Sequence, residues 1–433
     1  MRKLRLGLVL ALVISLVCCL PALADEGMNL KINEQDIFIP SAYIDNGTTM
    51  IPLDIFSKIA GTSEQWIDDN KVAITGNNKT ITLTIGSTEA VSGDETLTIT
   101  QAPVRKDTDV FIPLRFLASE FGFTVNWDQE NQKALLDRVQ TRDGMTAMEL
   151  LIKSNQASQA VNTFAMDGTM QISLKAVADG ESVLDPAMNM TTYLEGSLQN
   201  EPLEAYIKQK VAISGQEPIE GMEDMVVETY MTEDKMYMKA PGQGWMAMDL
   251  PFPSDFIKEQ QELQSNPIKA AEQMQEMGLV FSFGDDVNID GKDYYVINAV
   301  IDQEKFQDIY QQTLTEVLGA MEPESVEDAA VVEQMNKIFD GADINYFYTV
   351  YIDKTNLISS IFDFDCKLNL NINPKEFATD EEAVVEDIPE KVAINMLMKG
   401  TFNIKDLDQP FVAPDVSEAT EFNPYDPAIE SVG

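Results

Sequence analysis

Strict alternation of apolar and polar residues runs through much of the last two-thirds of the chain. In the stretch 234–250, DKMYMKAPGQGWMAMDL, Met236, Met238 and Ala240 share one side; beyond Pro241-Gly242-Gln243-Gly244, so do Met246, Met248 and Leu250. Period two broken by a Pro/Gly turn predicts a hairpin with one dry face. The same alternation groups Phe164, Met166, Gly168, Met170, Ile172 and Leu174, and again Val392, Ile394, Met396, Met398, Gly400, Phe402 and Ile404. Further strands are expected at 188–198, 203–214, 225–231, 279–283, 294–301, 344–352 and 357–370. Helical spacing follows a capping box, Thr146 with Glu149, and returns at 256–277 (interrupted at Asn266-Pro267), 304–318 and 326–339. Many long antiparallel strands with one apolar face and few helices predict a curved antiparallel β half-barrel over 144–409, its concave side covered by those helices.

The first part of the chain follows another pattern, and follows it twice. Met50-Ile51-Pro52-Leu53 leads through Phe56 and Ile59 to Gly61, then to Trp66 and Lys71-Val72-Ala73-Ile74. Phe111-Ile112-Pro113-Leu114 leads through Leu117 to Gly122, then to Trp127 and Lys133-Ala134-Leu135-Leu136. In each copy proline stands where a helix can start and glycine where it can end. Two short helices against small antiparallel sheets, with both tryptophans buried, are expected over 28–138. The whole is therefore read as α+β: a small repeat-built α+β module, a linker at 139–143, the half-barrel, and a loose acidic, proline-containing tail at 410–433.

Ile51-Pro52-Leu53, Gly61 and Trp66, repeated as Ile112-Pro113-Leu114-Arg115, Gly122 and Trp127-Asp128, resemble the copper amine oxidase-like N-terminal domain of secreted and surface proteins in Gram-positive-type bacteria. The resemblance implies an accessory, stalk-like module, since copper chemistry in those oxidases belongs to another domain. The leading helix, the 164–174 strand and the Met236-to-Met248 hairpin are followed by Ile289-Asp290-Gly291-Lys292-Asp293-Tyr294-Tyr295-Val296 and the Tyr351-Ile352-Asp353-Lys354 turn. In that order they resemble the LolA/LppX-like lipoprotein-carrier fold and its Gram-positive relatives of unknown function. That resemblance implies acyl chains or lipoprotein tails held between sheet and helices.

Methionine sharpens the expectation. Unbranched and polarisable, it suits a surface that repacks around variable apolar shapes. Met166, Met170, Met236, Met238, Met246, Met248, Met396, Met398 and Phe402 are the candidate lining of a ligand cavity, against the alternative of an ordinary core.

Charge and address narrow the setting. The 433 residues carry 72 acidic and 30 basic side chains, a formal charge of −42, which repels nucleic acid and anionic headgroups. Arg2, Lys3 and Arg5 precede an apolar run at 6–20 and Ala22-Leu23-Ala24, so residues 1–24 read as a signal peptide cleaved before Asp25. Cys18 and Cys19 offer lipid attachment as a rival, in poor context because Val17 or Cys18 stands where a small residue is wanted. Cys366 then remains as an inward-facing small hydrophobe, without a disulfide partner. No second apolar run is long enough to span a membrane.

Catalytic chemistry finds little support. The chain has no histidine, which removes His-based triads and His-ligated zinc or copper. Asp286, Asn288, Asp290 and Gly291 open like a calcium loop, but Ile297 stands where the closing glutamate belongs, so a hairpin turn is the better reading. Gly242-Gln243-Gly244 is turn chemistry, and neither a G-x-S-x-G elbow nor a P-loop occurs. No catalytic residue, metal site or cofactor is assigned. The expectation is a secreted, non-enzymatic cell-envelope protein that binds a lipid or other apolar ligand; the alternative is a structural or adhesive surface protein with a closed core. Expected partners are an apolar small molecule or acyl chain, with the cell wall as a further candidate.

Overall fold

The Ile-Pro steps of the two copies meet side by side in one sheet. The structure, a computed structural model, describes residues 27–33, 35–106, 109–182, 188–214, 225–250, 266–302, 305, 342–372 and 391–422. The expected signal peptide with Cys18 and Cys19, the helix at 304–318 apart from Lys305, that at 326–339, the first part of that at 256–277, and residues 423–433 lie outside the described residues.

The N-terminal module comprises β1 (Met28–Ile32), β2 (Gln35–Ile39), β3 (Tyr43–Asp45), β4 (Thr48–Pro52), α1 (Leu53–Ala60), β5 (Ser63–Asp68), β6 (Lys71–Gly76), β7 (Lys79–Thr84), β8 (Glu89–Ser92) and β9 (Glu95–Thr98). It continues with β10 (Val104–Lys106), β11 (Asp109–Pro113), α2 (Leu114–Glu120), β12 (Thr124–Asp128) and β13 (Lys133–Asp137). Strands β4 and β11, one from each copy, pair antiparallel about Ile51 opposite Ile112, so the repeats are related by a local two-fold. Each proline ends its strand and opens its helix, because it lacks an N–H and its φ already suits a first turn. Gly61 at φ 65° and Gly122 at φ 86° take the left-handed conformation that turns the chain out of each helix. Arg138, placed just past the second copy, donates to Ala60 O at the end of α1 and to Phe121 O at the end of α2, and stacks over Phe123. One guanidinium thus satisfies a free carbonyl at the end of each repeat helix.

The two tryptophans are not equivalent. Trp127 packs partly buried against the module core, whereas Trp66 is 41% exposed with Arg105 over its ring. Trp66 lies on β5, at the edge of the β5–β9 sheet, where no layer covers it.

The rest of the chain is dominated by one sheet. Helix α3 (Ala147–Ser158) starts at the expected capping box and buries Ala147, Leu150, Leu151 and Ser154. The strands are β14 (Thr163–Ala178), β15 (Glu181–Ser182), β16 (Met188–Gln199), β17 (Glu204–Ser214), β18 (Met225–Met231), β19 (Lys235–Lys239) and β20 (Met246–Asp249). After α4 (Pro267–Glu276) come β21 (Leu279–Phe283), β22 (Val287–Ile289), β23 (Lys292–Ile301), β24 (Ala342–Asp353), β25 (Ser359–Ile372), β26 (Val392–Lys405) and β27 (Thr420–Glu421). Among the described residues the path is β21-β23-β24-β25-β26-β14-β16-β17-β18-β19-β20-β27, antiparallel except for the last pair. The β22–β23 turn has positive φ at both Asp290 and Gly291, the hairpin geometry that displaces any calcium-loop reading.

The module is docked on this sheet rather than standing apart from it. Val280, Val300 and Phe347 point from β21, β23 and β24 into the same core as Ile55, Phe56 and Ile59 of α1. Ser282 Oγ donates to Lys58 O, Lys58 Nζ to Thr349 Oγ1, and Phe38 N to Asp302 Oδ2. Lys367 Nζ bridges Asp54 at 2.6 Å and Asp109 at 2.9 Å. The linker is pinned as well: Tyr295 donates to Asp143, and Arg142 pairs with Asp286 at 3.4 Å and donates to Gly284 O.

A loose tail is expected beyond Gln409; within it, Thr420–Phe422 are bonded to the sheet. Strand β27 pairs with β20, Phe422 N donates to Ala247 O, and Lys235 pairs with Glu421. Strand β20 would otherwise present unpaired backbone groups, and the returning chain satisfies them.

Candidate functional site

Cross-strand register puts the candidate residues on one face. Residues paired across neighbouring strands point to the same side of a sheet. Met396 of β26 pairs with Leu174 of β14, which pairs with Met188; Met398 pairs with Ile172, and Ile172 with Met190. Ile404 pairs with Met166, and the row runs on through Gly196, Ile207, Thr229 and Met238 to Met246. A parallel row ends Met231, Met236, Met248. All nine predicted residues therefore share the face that carries α3 and α4.

That face is closed in one part and open in another. Near β21 and β23 the helices pack tightly: Leu150 and Leu151 of α3 meet Phe283, Tyr295, Ile297, Val350 and Ile352, and Met274 of α4 meets Leu279, Ala299 and Ile301. Over β24, β25, β26 and β14 they stand off and leave a cavity of about 590 Å³. Its roof is Leu151, Asn155, Ser158 and Met274; its walls include Tyr346, Tyr348, Val350 and Ile358; its floor is Phe164, Met170, Phe362, Phe364, Phe402 and Ile404.

Of the predicted lining, Met170 and Phe402 reach this cavity. Met398 is 1% exposed and is packed between Cys366 and Ile172 by register, and Met248 is also buried. Met166, Met236, Met238, Met246 and Met396 stand on the same face outside the cavity lining. The aromatic walls of β24 went unassigned in the sequence, although Tyr346, Tyr348 and Val350 alternate there and so share a face.

Polar groups at the cavity are few among the described residues: Asn155, Ser158 and Ser359 are neutral, and Asp363 is a carboxylate that accepts from Tyr351 and Thr401. Ser154 of α3 and Ser359 of β25 share a hydrogen bond of 2.7 Å that ties helix to sheet. Burial pushes the Tyr348 phenol above its ordinary range, and neighbouring Tyr346 adds to the shift, so it stays a neutral donor. Cys366 is buried on the same face. Among the described residues no group of three or more metal-ligating side chains comes together, and no helix is long and apolar enough to cross a membrane. The arrangement can hold an apolar body.

Comparison with known proteins agrees with the order of the two modules. Residues 31–136 match the copper amine oxidase N-terminal domain. No curated protein gives a match. Among solved structures the chain is similar to the lipoprotein LppX of Mycobacterium tuberculosis, at 10% identity over 62% of this chain and 97% of that one, with a TM-score of 0.27. It is also similar to a putative outer membrane lipoprotein-sorting protein domain from Vibrio parahaemolyticus, at 12% identity over 62% and 96%, with a TM-score of 0.22. Residues 146–387, more than half of the chain, match the family of unknown function DUF6612, and the chain belongs to that family.

Proposed function

We propose that this is a secreted cell-envelope protein that takes up a lipid or other apolar ligand, without making or breaking bonds, in the cavity between α3, α4 and a sheet curled as a half-barrel. The observation that carries the reading is the cavity itself: about 590 Å³, floored by phenylalanine and methionine and roofed by two helices. Small-molecule sites span about 300–1,000 Å³ and are mostly apolar with a few polar groups, as here. Transfer of an acyl chain from water would supply about 0.8 kcal/mol per CH₂ buried. The address rests on the basic start, the apolar run and Ala22-Leu23-Ala24 before Asp25. The structural or adhesive alternative draws support from the shut parts of the same face, where Met398 and Met248 are buried.

A fluorescent acyl probe such as cis-parinaric acid separates the two. Saturable binding of one probe per chain, displaced by oleate, is the expected result. Absence of saturable binding would leave the closed-core, structural reading in place.

A further inference from the structure

We infer that Gly168 and Gly400 are the residues that set the capacity of the cavity, by letting two phenylalanine rings lie down on the sheet beneath a long acyl chain. The inference rests on the ligand reading above and adds to it the part of the wall that decides ligand size.

Glycine in a strand interior weakens the strand, and marks places where something must approach the backbone closely. Gly168 and Gly400 stand in the central strands β14 and β26, on the cavity face. Neither has a positive φ, so the backbone conformation does not demand glycine there. The demand is for space. A Cβ on Gly400 would lie 2.3 Å from Cε1 of Phe364, its cross-strand partner. One on Gly168 would lie 2.3 Å from Cδ1 of Phe402, which is its partner in turn. Each ring therefore occupies the place of a missing side chain, as aromatic residues do when they cover a cross-strand glycine. The two rings are within 9° of parallel with centroids 5.8 Å apart, and both belong to the cavity floor.

Adding a methyl beneath either ring forces something to move. At Gly400 the three nearest atoms all belong to the Phe364 ring, so the ring gives way and the open direction is upward into the cavity. At Gly168 the Thr401 carbonyl oxygen, 2.7 Å away, also blocks a Cβ, so Gly400 is the cleaner probe. A raised ring takes volume that a long chain needs and a short chain does not.

The test uses Gly400→Ala, Phe364→Ala and the double variant in the full chain, titrated with oleate and with decanoate. Gly400→Ala is expected to weaken oleate about tenfold while changing decanoate by less than about twofold, a difference well above titration error. In the Phe364→Ala background, Gly400→Ala should leave oleate binding unchanged, because no ring is left to be lifted. Equal weakening of both acids, or no rescue by the second substitution, would overturn the inference. Phe364→Ala adds no atoms and serves if Gly400→Ala does not fold: it should raise the preference for oleate over decanoate, and an unchanged ratio also overturns the inference. Failure of the parent protein to bind either acid would instead overturn the ligand reading itself.

Discussion

Strands β21, β23 and β24 carry two surfaces of opposite kind. On one, Val280, Val300 and Phe347 are sealed against α1, and polar side chains between them are paired: Ser282 with Lys58 O, and Thr349 with both Lys58 and Asn298. On the other, Tyr346 and Tyr348 line a cavity beneath α3 and α4. The alternation that makes these surfaces is the same on both sides. The difference lies in the cover: the two-turn helix α1 buries six of its eight residues, whereas α3 and α4 fill only one end of their face. The N-terminal module therefore packs against the back of the strands that wall the cavity.

If the comparison is right, the braced face should be the more costly to damage. Phe347→Ala, at a side chain 4% exposed within the shared core, should cost about 3–5 kcal/mol in urea unfolding. Gly61→Ala should cost at least about 3 kcal/mol, because it strains a left-handed residue whose new Cβ would lie 1.8 Å from Phe283 O. Either variant unfolding like the parent would mean that the module only rests against the sheet.

Enlargement distinguishes closed from open parts of the cavity face. Met398→Trp should destabilise by about 1–3 kcal/mol through overpacking, since Met398 is buried and outside the cavity. Met170→Trp should leave stability near that of the parent and weaken acyl-probe binding. A reversed outcome would move the cavity along β26 toward Met396 and Met398.

The two lysines of the docked face give opposite signatures in pH. At Lys367 burial pulls the ammonium down, but Asp54 and Asp109 outweigh it and its pKa is raised. Its contribution is thus fully present below the ordinary lysine pKa of about 10.4 and is lost only as pH rises through the raised folded value. At Lys58 burial dominates over the attraction of Asp365 and Asp363, and its pKa is lowered. Charged Lys58 therefore opposes folding at neutral pH, and that penalty fades as pH climbs from its lowered folded value to about 10.4. The cost of Lys367→Met should stay constant through neutral pH and shrink only above about pH 10.4. Lys58→Met should cost little or stabilise near neutrality, by an amount that shrinks as pH rises. Equal pH profiles for the two variants would contradict the assigned environments.

Much of this was readable because period two leaves little freedom. The hairpin at 234–250 and the long strand after Val392 are present with the faces expected, the strand at 225–231 is present, and the Thr146 capping box forms. The docking of the module was not anticipated, although a trace of it exists. Tyr294–Ile301, YYVINAVI, hardly alternates, and every one of its residues is buried, the pattern of a strand covered on both sides. The cavity was legible only in part: alternation places the eight candidate methionines on one face but cannot say where helices stand off from it. Trp66 misled because hydrophobicity reports burial only where a second layer exists, and β5 has none.

The central claim is that the open part of the sheet face holds an apolar ligand. It is tested most directly by native mass spectrometry of the full-length protein exported by a bacterial host, followed by organic extraction and lipid analysis. The account predicts an added mass that extraction removes and that resolves into a molecule with a long hydrocarbon chain, retained by the parent and lost from Met170→Trp. A parent protein that leaves the host at its bare polypeptide mass, and stays there after incubation with oleate, would contradict it.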